Sequence, residues 1–119
     1  MKGELTKRQW ALYNYLKSMG DTWTTQYGLA FSLSLLDGYY FDYDRKENFH
    51  DSNARKQITV DIRAINNSWE VKDIIITSYR GVKIANKQEA NKYIEREINS
   101  ALSRLMRATR KARKLNEEE

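Results

Sequence analysis

The chain has 119 residues, the length of one ordinary domain, and 40% hydrophobic residues, enough for a modest core. It has no cysteine, which excludes disulfides and thiolate metal sites, and no apolar run of the roughly 18–20 residues a membrane span needs. A net charge of +5 with 31% charged side chains favours a polyanionic partner.

The opening MKGELTKRQW lacks the apolar stretch of a signal peptide, so a cytoplasmic location is expected. Thr6 and Gln9 stand at capping-box spacing, with Leu5 and Trp10 at the positions of a hydrophobic staple. Leu12, Tyr13, Leu16 and Met19 continue at helical spacing and Gly20 stops them, predicting a helix over 5–19. The connector 21–25 contains TWTT, whose β-branched and aromatic content suits a very short strand. Thr24 or Thr25 then caps a helix over 26–36, ended by Asp37-Gly38. Tyr27, Ala30, Phe31, Leu33, Leu35 and Leu36 wrap widely around its axis, so much of its surface is expected to be buried.

Residues 37–51, DGYYFDYDRKENFHD, break the periodicity with Tyr39, Tyr40, Phe41 and Tyr43 set among acids. Two readings stand: the aromatics fold back as a satellite cluster, or the loop contacts a protein partner. Asp37, Asp42, Asp44 and His50 match neither a calcium loop nor a zinc motif, so no metal or other cofactor is expected.

A third helix begins at Ser52 or Asn53 and runs to about Asn67. Ala54, Ile58, Ile62 and Ile65 form one apolar stripe. Lys56, Thr59, Val60, Arg63 and Asn67 lie opposite, Arg55 and Asn66 flank them, and Asp61 projects beside the stripe, away from the basic face. Such a face is either merely solvated or shaped to meet DNA, where arginine pairs with guanine, lysine with guanine or phosphate, and asparagine with adenine. Trp69 and Val71 are expected to pack back on the core. Strands at 74–77 and 82–85 flank a turn, Ser78-Tyr79-Arg80-Gly81, that presents Arg80 to a groove or phosphate.

Asn86 and Glu89 have capping spacing for a last helix through roughly Leu115. Ile94, Ile98, Ala101, Leu105, Ala108, Ala112 and Leu115 are spaced 4-3-4-3-4-3, the seam of a coiled coil. Tyr93, Leu102 and Met106 widen its first half, which suggests docking there. The seam therefore joins two copies or docks within one chain. Arg104, Arg107, Arg110, Lys111, Arg113 and Lys114 form a basic run suited to DNA phosphates, and the terminal EEE opposes the helix dipole, so fraying is expected.

ITVDIRAIN at 58–66, IIITSYRGVKIAN at 74–86 and EANKYIEREINSALSRL at 89–105 resemble the recognition helix, wing and trailing helix of winged helix-turn-helix proteins. The nearest likeness is to small winged-helix proteins of phages and mobile elements of Gram-positive bacteria. Val82 stands where that wing usually has an aromatic, and loop 37–51 is longer than a compact helix-turn-helix needs. The expected fold is mainly α with a small β-hairpin (α+β): a winged domain over 1–86 with an insertion at 37–51, then a long helix over 87–119. The resemblance implies double-stranded DNA binding in a regulatory or replication-accessory role, through Arg55, Lys56, Thr59, Arg63, Asn67 and Arg80. The rival expectation is a phage-encoded interaction module, such as an inhibitor of a host nuclease, acting through loop 37–51. One histidine and no phosphate loop or paired-carboxylate motif argue against an enzyme.

Overall fold

Side-chain caps set the helix boundaries in the computed structural model, which describes residues 4–41 and 46–117. Helix α1 (Lys7–Met19) starts at Thr6, whose hydroxyl accepts the Gln9 N–H while the Gln9 side chain accepts the Thr6 N–H. Helix α2 (Gln26–Asp37) starts at Thr25, which accepts the Gly28 N–H, and ends at Gly38 in the left-handed conformation. A short 3-10 helix (Lys46–Asp51) leads to Ser52, which caps α3 (Asn53–Asn66) by accepting the Arg55 N–H. Strands β1 (Ile75–Ser78) and β2 (Gly81–Ile84) pair antiparallel with Ser78 opposite Gly81, leaving Tyr79-Arg80 as the turn. Helix α4 (Lys87–Glu117) follows, giving a mainly α chain with one small hairpin, as expected.

The core joins Leu12 and Leu16 of α1, Leu29 and Leu33 of α2, and the α3 stripe Ala54, Ile58, Ile62 and Ile65 to Ile75 and Val82 of the hairpin. Fully burying a side chain such as leucine or isoleucine contributes about 1.5–3 kcal/mol, so this cluster is the main stabiliser. Tyr40 and Phe49 belong to the same cluster and Tyr39 packs against it, so these aromatics fold back onto the main core, while Phe41 is exposed. Tyr43, Asp42 and Asp44 lie outside the described residues.

Two four-residue strands do not persist by themselves. Thr24 fastens them, donating its N–H to the Val82 carbonyl at 2.9 Å and accepting the Val82 N–H at 2.7 Å. TWTT thus supplies a single β-bridge. The Asn66 amide holds the other strand, donating to the Ile75 carbonyl at 2.9 Å and accepting the Ile75 N–H at 2.8 Å. Lys83 is buried at the hairpin's base, where it pairs with Asp21 and lies 5.6 Å from the Trp23 ring centre.

Two burial expectations are corrected. Phe31, Leu35 and Leu36 are exposed, because α2 turns Leu29, Ala30 and Leu33 inward. Trp69 is 96% exposed, whereas Val71 is buried as expected. The chain divides into two units, Met1–Asn86 and Lys87–Glu119. Within the second unit, taken by itself, no described residue is buried. Glu117 ends the described helix, so the expectation of fraying at Glu118 and Glu119 falls outside the described residues. Among the described residues no helix is long and apolar enough to cross a membrane. No cluster of three or more His, Cys, Asp or Glu among them is placed to hold a metal.

Candidate nucleic-acid interface

The stripe that buries one side of α3 turns the other side outward. Lys56, Thr59, Val60 and Arg63 are exposed there, as is Asn67 just past the helix end. Arg55 at the flank is partly buried, with a guanidinium N–H 3.5 Å from the His50 carbonyl. Thr59 donates its hydroxyl to the Arg55 carbonyl at 3.1 Å, which leaves its oxygen as an acceptor. Asn66, expected beside this face, has its amide committed to Ile75 and serves the hairpin instead.

The only acid of α3, Asp61, is fully buried. Its carboxylate accepts the Arg8 Nε–H at 2.7 Å, the Arg8 Nη2–H at 2.9 Å and the Gln9 Nε2–H at 3.1 Å. The Tyr40 hydroxyl donates a fourth bond. A buried carboxylate is sustained by this kind of arrangement: a bidentate guanidinium plus hydrogen bonds to the remaining lone pairs. The hydrogen bond to Asp61 raises the Arg8 guanidinium above its ordinary value. Burial, and then the bond to Asp61, pushes the Tyr40 phenol well above the usual tyrosine range. Tyr40 therefore remains a donor at any physiological pH.

This node has two consequences for the exposed face. Bonds from α1 and from the segment after α2 converge on the middle of α3 and fix its rotation about its own axis. They also draw its one negative charge inside, paired with Arg8. The sequence places Asp61 correctly off the basic face, but its depth and its partners come from the fold.

At the hairpin tip, Tyr79 and Arg80 are exposed. Arg80 donates its backbone N–H to Ser78 Oγ at 3.1 Å and its Nε–H to the Tyr79 hydroxyl at 3.2 Å. Its guanidinium carbon lies 5.6 Å from the Tyr79 ring centre. Val82, in place of the aromatic in the resemblance, is fully buried and belongs to the core. The hairpin is tied to the C-terminal end of α3 through Asn66, which links the element bearing Lys56 and Arg63 to the one bearing Arg80.

In the second unit, taken by itself, Arg104, Arg107, Arg110, Lys111, Arg113 and Lys114 are all exposed. The seam residues Ile98, Ala101, Leu105, Ala108 and Ala112 are exposed as well. Sequence reasoning missed Arg8, Gln9 and Tyr40 as the residues that orient α3, and Trp69 as a surface residue. For the first three the sequence carries no signal, since each meets Asp61 from 21 to 53 positions away. Neither protein-family models, nor curated proteins, nor solved structures give a match to this chain.

Proposed function

We propose that the chain is a non-enzymatic, sequence-preferring double-stranded DNA-binding protein of the winged helix-turn-helix kind, a regulator or replication accessory of a phage or mobile element. One observation carries this reading: the exposed side of α3 offers Lys56, Arg63, Thr59 and Asn67 with no acid among them, because Asp61 is buried on Arg8. A helix of this kind fits the major groove, with Arg63 suited to guanine, Lys56 to guanine or phosphate, and Asn67 to adenine. Arg55 meets the backbone at the flank, and Arg80 meets the adjacent groove or phosphate.

The stripe of α4, Ile98, Ala101, Leu105, Ala108 and Ala112, joins two copies of the chain, and the operator then consists of two-fold-related half-sites. Arg104, Arg107, Arg110 and Lys111 add phosphate contacts. A titration with random duplex DNA at two salt concentrations tests the reading. Binding is expected at low salt and falls steeply as salt rises; no binding at low salt would sink it. Arg63→Glu, on an exposed position, is expected to abolish specific binding with an unchanged thermal transition.

A second reading draws on Phe41, Leu35 and Leu36, three exposed apolar side chains in and beside the acidic stretch 37–51. Such a surface suits a protein partner, as in an inhibitor of a host nuclease. Inhibition of a nuclease by a chain that binds no duplex DNA would favour it.

A further inference from the structure

Among the described residues, the two most exposed large hydrophobic side chains, Trp69 at 96% and Tyr79 at 92%, both lie in the short segment that joins α3 to the hairpin tip. A single exposed apolar side chain is ordinary on a protein surface. Trp69 differs in how firmly it is held there. Its neighbour Ser68 is buried, donates its N–H to the Ile65 carbonyl at 3.1 Å, and accepts the Glu70 N–H on Oγ at 3.1 Å. The Glu70 carboxylate accepts the Leu5 N–H at 3.1 Å, and Val71 is buried one residue further on. The backbone is thus anchored on both sides of Trp69 while the indole stands in solvent. A loose loop would let the ring fold down; this turn holds it out.

Position adds the second part. Trp69 follows Asn67 by two residues, so their Cα atoms lie within about 7 Å of each other. On the DNA-binding reading, the indole is thus a close neighbour of a residue assigned to a base contact. Tyr79 carries a guanidinium beside its ring, whereas the Trp69 ring is bare and has only one polar atom, a donor N–H. The strongest use of a bare indole face beside DNA is stacking on a base, and a base offers its own face only when it is unpaired or unstacked.

We infer that Trp69 is a base-stacking residue and that it directs the protein toward duplexes with unpaired bases beside the α3 site, such as a bubble or a fork. This rests on the DNA-binding reading above. The test uses the full chain as wild type, Trp69→Ala and Trp69→Phe, with an intact duplex and the same duplex carrying a short internal bubble. The wild type is expected to bind the bubble more tightly. Trp69→Ala is expected to lose on the order of 5- to 100-fold on the bubble, with little change on the intact duplex, and Trp69→Phe to retain most of the affinity. The tryptophan emission that disappears in Trp69→Phe is expected to be quenched by bubble DNA.

Equal binding of the bubble by wild type and Trp69→Ala, with duplex binding intact, overturns the inference and leaves the DNA-binding reading standing. So does an equal loss on both DNAs, which makes the ring a groove contact, or a change of mass in light scattering alone, which makes it a protein contact. No binding of either DNA at low salt overturns the DNA-binding reading and the stacking inference with it.

Discussion

A carboxylate removed from water needs a partner for every lone pair, and Asp61 has Arg8, Gln9 and Tyr40 around it. Removing the carboxylate strands a guanidinium, an amide and a phenol together. Asp61→Ala is therefore expected to cost about 3–5 kcal/mol, less whatever the partly exposed Arg8 recovers from water, measured by urea unfolding. Tyr40→Phe removes one bond to a charged group and keeps the ring's packing, so a loss of about 1.5–3 kcal/mol is expected. Equal stability of both variants and wild type would mean that the node does not form. Two other carboxylates, Asp73 and Asp21, contribute to acid stability. The Tyr13 hydroxyl, then Lys17, holds the Asp73 carboxyl below the ordinary 3.8, and Lys83 does the same for Asp21. A depressed folded value means that this stability is complete above the ordinary carboxylate value and is lost as pH falls through the lower one. Stability should therefore decline below about pH 4, and less steeply in Tyr13→Phe, which removes the largest cause of the Asp73 shift. Tyr40 has the opposite sign. Its raised value makes its contribution complete below the ordinary phenol value of 10.0 and lost progressively as pH rises above it, so the stability gap between wild type and Tyr40→Phe in urea unfolding should narrow at alkaline pH.

Elements are held by contacts that differ in kind, and the two glycines that bound the α1–hairpin region illustrate the difference. Gly20 ends α1 with φ 67°, and nothing lies within 4 Å of a Cβ built there. Gly81 has φ 120°, and a Cβ would lie 2.2 Å from the Thr24 carbonyl oxygen, the acceptor that anchors β2. Gly20→Ala is expected to cost only its backbone strain, about 1–3 kcal/mol. Gly81→Ala must also break the Thr24–Val82 bridge, so a larger loss of about 2–4 kcal/mol is expected, with release of the hairpin seen as rapid amide exchange at Val82. Similar losses at the two sites would mean that the bridge carries little. The same contrast separates what was legible in the sequence from what was not. Caps act over three residues, so without any knowledge of the fold Thr6 with Gln9 marks one helix start and the other two narrow to Thr24 or Thr25 and to Ser52 or Asn53, of which the fold uses Thr25 and Ser52. The α3 stripe is narrow, and its period alone identifies the buried side. On α2 the apolar residues surround the axis, so period cannot say that Leu29 faces inward and Leu35 outward. Trp69 was misplaced for the same reason: apolar character permits burial without requiring it. On the candidate site, the basic face was legible because helical spacing groups it. The node that orients it was not, because α1, the segment after α2 and α3 meet only in the folded chain.

For the whole molecule, salt acts in opposite directions on the two associations proposed here. Among the described residues, every member of the buried core lies between Leu5 and Val82. A chain ending at Asn86 is therefore expected to keep a single cooperative unfolding transition and to be monomeric. The full chain, joined through Ile98, Ala101, Leu105, Ala108 and Ala112, is expected to scatter as twice 14.1 kDa. That seam is thin, since three of these five side chains are alanines, and burying them stabilises far less than leucine would. Each copy also carries six positive charges from Arg104 to Lys114 with no acid between them, and heptad spacing sets Arg104 and Lys111 beside the proposed seam. Their repulsion extends over a Debye length of about 10 Å at 0.1 M salt and about 3 Å at 1 M, so added salt should strengthen the dimer. Phosphate contacts from the same side chains lose affinity with salt, because counterion release no longer drives them. Light scattering and DNA titration across one salt series should therefore move in opposite directions, dimer dissociation constants falling while DNA dissociation constants rise. A full-length chain that stays at 14.1 kDa across the series would remove α4 as the dimer seam. A dimer that persists in the chain ending at Asn86 would place the contact on the first unit, where Phe31, Leu35 and Leu36 are the exposed apolar candidates.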